Sequence, residues 1–331
     1  MTNIRTIHSY LLAAAILPCA LLFASCSTTK NIPEGDQLFI GLEKTEYGNY
    51  EKNEHLDAIK EEVEASLATA PNGALFGSPY YRTPFPYSLW IWNAFSDSNN
   101  KIAKWITKTF GKAPVLMRQV NPELRASVAQ SVLRNHGYLN ATVNYKTIQQ
   151  KNPKKAKIRY NVNFGHLFTV DTLEYIGFPA EADSLIRNTG KQAKIASGMP
   201  FDASTMDAER NRLAQLFRNN GYYYYQPNFA SYLADTVAVS GKAKLRLQMA
   251  SNLPVLAKKK WYIGNININL RRQFMEQLTD SFCHRYFTVR FSGKRPPIRP
   301  RIILSDLKLR PRQQYSYDRH TESANKINGS G

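Results

Sequence analysis

Apolar positions along this chain repeat first at a helical spacing and then at a strand spacing, and they do so twice in the same order. Residues 125–138 read R-A-S-V-A-Q-S-V-L-R-N-H-G-Y, and residues 209–222 read E-R-N-R-L-A-Q-L-F-R-N-N-G-Y, 84 residues later. Apolar side chains three or four apart line one face of a helix. The first copy predicts a face of Leu124, Val128 and Val132, and the second a face of Met206, Leu213, Leu216 and Phe217. Both runs stop at Gly-Tyr. Glycine at a helix stop takes left-handed backbone without a Cβ clash, so Gly137 and Gly221 are predicted structural turns at positive φ. Tyr138 and Tyr222 are then placed to pack back on the last turn.

A period of two follows each stop. Leu139, Ala141, Val143 and Tyr145 alternate with polar residues, and Ile158, Tyr160, Val162 and Phe164 do the same after a turn at residues 151–154. This is the pattern of a half-buried hairpin. The second copy predicts a strand over residues 222–232, a turn over 235–242, and an inward face of Leu245, Leu247 and Met249. Ahead of it lie a leading strand over 167–177, a short helix over 182–188, the turn Gly198-Met199-Pro200-Phe201, and an N-cap at Asp202 or Ser204. The first copy's leading helix is predicted over 54–68. A third leading strand covers 262–268 and a short helix covers 302–307. Tyr315 then matches Phe201, and Asn325-Lys326-Ile327 matches Asn211-Arg212-Leu213, but no third Gly-Tyr follows. The expected fold class is α+β, in tandem β-α-α-β-β units with the third incomplete.

The segment 71–120 is more than the repeat needs. It carries Leu75, Phe76, Tyr80, Tyr81, Phe85, Tyr87, Leu89, Trp90, Ile91, Trp92 and Phe95. Ile102, Trp105, Ile106 and Phe110 then share one helical face, with Lys101, Lys104, Lys108 and Lys112 around it. Two readings fit. The face caps the first unit's core, or it lies in a membrane interface. An exposed apolar patch distinguishes them.

Residues 1–25 read as a signal peptide, with Arg5 ahead of an apolar run too short to span a membrane. The run ends L-F-A-S-C, which matches a bacterial lipobox and makes Cys26 the expected lipidation site. Ordinary cleavage with Cys26 as a bystander also fits. Cys19 leaves with the leader and Cys283 stands alone, so no disulfide framework or thiolate metal site is expected. A buried thiol is the expectation for Cys283. The net charge is +19, of which +11 falls in residues 251–331, around Arg290, Lys294, Arg295, Arg299, Arg301, Arg310 and Arg312. Export argues against nucleic acid. Anionic headgroups, a docking face for a barrel, and a solvated surface all fit this stretch. No nucleophile elbow, zinc helix, phosphate loop or dinucleotide fingerprint occurs, and the histidines are scattered. No enzyme activity, cofactor or metal is expected.

The β-α-α-β-β order with Gly-Tyr after the second helix resembles the POTRA domain, the module of the periplasmic arms of BamA/TamA-type outer-membrane assembly and translocation proteins. The resemblance spans residues 32–328. Its most specific pieces are S-C-S-T-T-K-N-I-P-E-G-D, P-Y-S-L-W-I-W-N-A-F, D-A-E-R-N-R-L-A-Q-L-F-R-N-N-G-Y-Y-Y and I-L-S-D-L-K-L-R-P-R-Q-Q-Y-S. Together they look like the family's lipoprotein variant. Two departures stand out. Arg312 occupies the place of the turn glycine seen here as Gly198, and the expected barrel is missing, since residues 279–331 hold no series of alternating segments.

The resemblance implies a lipidated linker over 26–35, a first POTRA-like domain over 36–164 with its aromatic insertion at 71–120, a second over 165–252, and a truncated third over 253–331. It implies a periplasmic arm on the outer membrane, lipid-anchored and binding unfolded outer-membrane proteins or accessory proteins by strand addition. The implied client edge is the strand after each Gly-Tyr, over 138–145 and 222–232. Tyr222, Tyr223, Tyr224 and Tyr225 then offer an inner packing face and an outer aromatic face, or all four simply pack. The alternative function is a stand-alone envelope lipoprotein adaptor that binds lipid headgroups or other envelope proteins.

Overall fold

Three separate sheets, each with a parallel strand pair beside an antiparallel one, carry the described residues. The computed structural model describes residues 28–329, so the expectations for residues 1–25 and for Cys26 lie outside the described residues. Two compact units divide at Leu167 and Phe168.

In the first unit, β1 (Leu38–Leu42) and β2 (Glu46–Gly48) precede helix α1 (Leu56–Leu67). The insertion contributes α2 (Tyr87–Phe95), α3 (Lys101–Phe110) and α4 (Met117–Val120). Helix α5 (Pro122–Asn135) and the hairpin β3 (Thr142–Gln149) and β4 (Lys155–Asn163) complete it. β4 is central. β1 and β2 run parallel to it on one side, and β3 runs antiparallel on the other from Thr142 opposite Asn163 to Gln149 opposite Ala156. Alternation along β4 buries Ala156, Ile158, Tyr160 and Val162, and the last three share one core with α1 and α5.

The face of α5 differs from the expected one. Leu124 and Val128 are 58% and 45% exposed, while Ala126, Ala129 and Leu133 are buried. Two alanines let α5 lie close against α1, so the small residues set the phase and the larger ones face solvent. The first hairpin strand also starts later than expected, at Thr142. Tyr138 and Ala141 belong to the helix stop: the Tyr138 N–H donates to the Leu133 carbonyl (3.0 Å) and the Ala141 N–H to the Tyr138 carbonyl (2.9 Å).

The insertion closes back on the unit in part. Leu89 joins Ile32, Leu38, Ile40 and Leu116 in a small cluster beside β1. The buried side chain of Asn72 donates to the Ala113 carbonyl (2.8 Å) and accepts from the Val115 N–H (2.7 Å).

In the second unit, β5 (Thr169–Ile176) leads to α6 (Ala180–Asn188), α7 (Ala203–Asn219), β6 (Ala230–Asp235) and β7 (Lys242–Met249). β7 is central, parallel to β5 and antiparallel to β6. Asp202 caps α7 by accepting the Thr205 N–H (3.0 Å). Leu245, Leu247 and Met249 are buried, with Ala243 continuing the same face.

The same unit then forms β8 (Ile266–Asn269), β9 (Asp280–His284), β10 (Phe287–Phe291), α8 (Pro300–Asp306) and α9 (Tyr317–Gly329). The β9–β10 hairpin was not expected. β10 lies parallel to β8 and antiparallel to β9, with Phe287, Val289 and Phe291 in the core.

One local pairing recurs in all three parts. Leu38 bridges Leu116, Thr169 bridges Pro200, and Tyr262 bridges Gln314. Each time a leading segment is tied to the residues ahead of the longer helix. Gly198 sits at φ +86° in the second copy of this turn and Arg312 at φ +64° in the third. Arg312 thus adopts the left-handed backbone that glycine takes elsewhere. The whole is an α+β fold, and no described helix is long and apolar enough to cross a membrane.

Candidate functional site

Gly221 has φ +94°, and the chain leaves α7 there through the N–H of Tyr222, which donates to the Phe217 carbonyl (3.0 Å). The Tyr225 N–H donates to the Tyr222 carbonyl (3.0 Å), so residues 222–225 form a turn. A short helical turn at Pro227–Phe229 follows, and β6 begins only at Ala230. The tyrosines are therefore not on the edge strand, contrary to expectation. Proline at 227 lacks the N–H a ladder needs, and the helix stop uses the preceding residues first.

The four tyrosines divide by depth. Tyr222 and Tyr225 are buried, packed edge-on against Phe217 at centroid distances of 5.9 and 4.8 Å. Burial pushes the Tyr225 hydroxyl well above the ordinary tyrosine range. Tyr223 and Tyr224 are half-exposed, with Tyr223 edge-on to Tyr315 (4.7 Å) and Tyr224 edge-on to Trp261 (5.2 Å). The Trp261 N–H donates to the Gly221 carbonyl (2.8 Å). Asn219 and Gln215 donate to the Asp318 carboxylate (2.6 and 3.1 Å), and the Arg218 guanidinium lies 3.9 Å from the Tyr317 ring centre. The Gly-Tyr segment of the second copy is thus a platform for the third.

Backbone edges remain. Among the described residues β3 and β6 each pair on one side only, with β4 and β7 respectively. On β6, Leu233 is 54% exposed and Ser231, Ala234 and Asp235 are also exposed. On β3, Thr142 and Asn144 through Thr147 are exposed and Val143 is buried. An edge with free N–H and C=O groups and alternating small, apolar and polar side chains is a template for another strand.

One carboxylate is fully buried among the described residues. Glu209 on α7 accepts from Arg212 (2.6 and 2.9 Å), the Tyr175 hydroxyl (2.7 Å) and the Lys194 N–H (2.8 Å). Burial pushes its pKa up, but these donors outweigh burial and hold it below the ordinary carboxylate value. Both oxygens are occupied, so the group is a structural tie. Arg125 stands at the same place in the first copy, 84 residues earlier, and donates to the carbonyls of Ser66 (3.2 Å) and Ala68 (3.0 Å). At one repeat position Arg125 fastens the second helix to the end of the first, and Glu209, of opposite charge, fastens it to β5 and to the segment that follows α6.

Other expected groups are dispersed. Cys283 is exposed, not buried, because it lies on the outer face of β9 opposite Thr288. No cluster of His, Cys, Asp or Glu among the described residues could hold a metal. His136 pairs with Glu62 (2.8 Å) at the end of α5. In the basic stretch, Arg310 donates to the Leu307 and Leu309 carbonyls (2.6 and 2.8 Å) and lies 4.6 Å from the Tyr286 ring centre.

No family model and no curated protein matches the chain. Among solved structures it is similar to the POTRA3–5 segment of Haemophilus influenzae BamA, at 11% identity over 91% of this chain and 89% of that one, with a TM-score of 0.39. It is similar to POTRA1–3 of the periplasmic domain of Omp85 from Anabaena, at 10% identity over 90% and 87%, with a TM-score of 0.29. The N-terminal domain of Omp85 from Thermosynechococcus elongatus matches at 9% identity over 70% and 81%, with a TM-score of 0.21. At these scores the likenesses carry no weight beside the chain's own strand order.

Proposed function

We propose that this chain is a periplasmic polypeptide-binding arm of an outer-membrane protein assembly or translocation factor, and that it takes extended clients by adding a strand to β6 and β3. The observation that carries this reading is the repeated hairpin whose outer strand has one unpaired edge. Main-chain hydrogen bonds would supply affinity, and Leu233 and Tyr145 on the exposed faces would supply selectivity. The modules run over residues 36–164, 165–252 and 253–331, Cys26 is the lipid anchor, and the arm has no catalysis of its own. Tyr222 to Tyr225 serve the core and the platform for the third module, and the client sits on the strand after them.

Two adjacent proline variants test this. Successive N–H groups along a strand of an antiparallel pair point to opposite edges. One of Leu233→Pro and Ala234→Pro therefore removes an outward donor and the other a ladder donor. Titration with extended, aromatic-rich peptides should show one variant folded as stably as the unmodified chain but without binding at β6, and the other destabilised. Two folded variants that both bind normally would contradict the edge model.

A further inference from the structure

Helix α3 faces water with the residues that a short helix ordinarily buries. Ala103 is its one buried residue, whereas Ile102, Trp105 and Phe110 are 66%, 59% and 54% exposed. The helix is well formed: Asn100 caps it by accepting the Ile102 N–H (3.0 Å). The capping reading of the insertion therefore holds for Leu89 and fails for α3. Trp105 and Phe110 pack edge-on at 5.9 Å and present one continuous aromatic surface.

Charge restricts what can cover this face. Lys101, Lys104 and Lys108 lie on α3 and Lys112 just beyond it, and the helix has no acidic residue. Across residues 71–120 six basic residues stand against one acidic residue, Asp97. A second copy of this face would bring lysine against lysine, which disfavours self-association. The preceding chain has the same character: Tyr81 and Tyr87 are 70% and 65% exposed. Phe76 is fully exposed on left-handed backbone at φ +50°, an unusual place for an aromatic residue.

We propose that the α2–α3 hairpin seats on an anionic bilayer surface. Ile102, Trp105 and Phe110 enter the boundary between headgroups and acyl chains, and the surrounding lysines meet the lipid phosphates. Tryptophan prefers that boundary, where its ring is apolar and its N–H stays wet. Lysine stems lie along the apolar region while their ammonium groups reach the headgroups. The contact would hold the first unit against a membrane independently of any acyl chain. It does not rest on client binding: a chain that binds vesicles but no peptide would refute only the strand-addition reading.

The test uses the full chain carrying Cys26→Ser, so that no acyl group contributes. It is mixed with vesicles of phosphatidylcholine alone or of phosphatidylcholine with phosphatidylglycerol, and binding is read by flotation. Binding to the anionic vesicles should exceed binding to the neutral ones and weaken with added salt. The double variant Ile102→Ser, Trp105→Ser should bind about tenfold or more weakly. Its unfolding midpoint should not fall, because both side chains are exposed. Changing Lys101, Lys104 and Lys108 to alanine should abolish the preference for anionic vesicles. Failure of the unmodified chain to bind, or equal binding by the double variant, would overturn the proposal. So would a double variant that unfolds more easily, since that would make the face part of a core. A concentration-dependent oligomer lost in the double variant would assign the face to a protein partner and overturn it as well.

Discussion

Gly137 and Gly221 turn the chain at φ +90° and +94°. A Cβ at 221 would come within 2.9 Å of the Gln314 side chain. Valine at either position should cost about 1–2 kcal/mol through the left-handed backbone. At Gly221 valine must also displace Gln314, and the third module with it, so this variant should loosen that module beyond the backbone cost. Urea unfolding of both variants checks the backbone cost, and unchanged hydrogen exchange over residues 313–320 in Gly221→Val would contradict the platform. Glu209 makes a second residue-scale prediction. Its folded pKa is held below the ordinary carboxylate value, so the ionised form stabilises the fold above the unfolded pKa. That stabilisation is lost as pH falls through the folded pKa, and Glu209→Gln should remove this part of the acid dependence. Arg212→Met leaves the carboxylate buried without its cation and should cost about 3–5 kcal/mol, read from denaturant midpoints at neutral pH. The tie at Glu209 was hard to see in the sequence because the matching residue in the first copy is Arg125, of opposite charge. The glycine stops were legible because few residues other than glycine take that backbone.

At the scale of elements, the hairpins and helices lie close to where the periods put them, and the departures have physical causes. The face of α5 departs from the one its larger residues Leu124 and Val128 suggest, because close helix packing selects Ala126 and Ala129. The tyrosine run reads as a strand by composition, but the helix stop and Pro227 delay β6 to Ala230. Phe287, Val289 and Phe291 alternate as a strand should, but the arginine and proline that dominate the stretch that follows mask the hairpin's signal. The exposed face of α3 is a case where periodicity gives the stripe but not its environment. The same spacing serves a core and a membrane surface, and only the neighbouring chain decides between them. The proline pair on β6 is the corresponding element-scale prediction. One variant should lose client binding at β6 at unchanged stability and the other should lose stability.

Across the described residues, three sheets that each set a parallel pair beside an antiparallel one follow one another, and the bridges Leu38–Leu116, Thr169–Pro200 and Tyr262–Gln314 mark the repeat. Repetition of a module with open strand edges suits a surface that handles long extended chains. An anchor at Cys26 would keep that surface at the membrane. Mass spectrometry of the mature N-terminus should find acyl chains on Cys26 and none in Cys26→Ala, and an unmodified chain beginning elsewhere would remove the anchor from the account. The most direct test of strand addition is amide hydrogen exchange, resolved residue by residue, with and without a saturating extended client peptide. The account predicts new protection at alternate residues of β6 or β3, at the N–H groups that face away from β7 or β4. Protection gained instead on the helices or in the basic stretch of residues 290–312, with β6 and β3 unchanged, would contradict it.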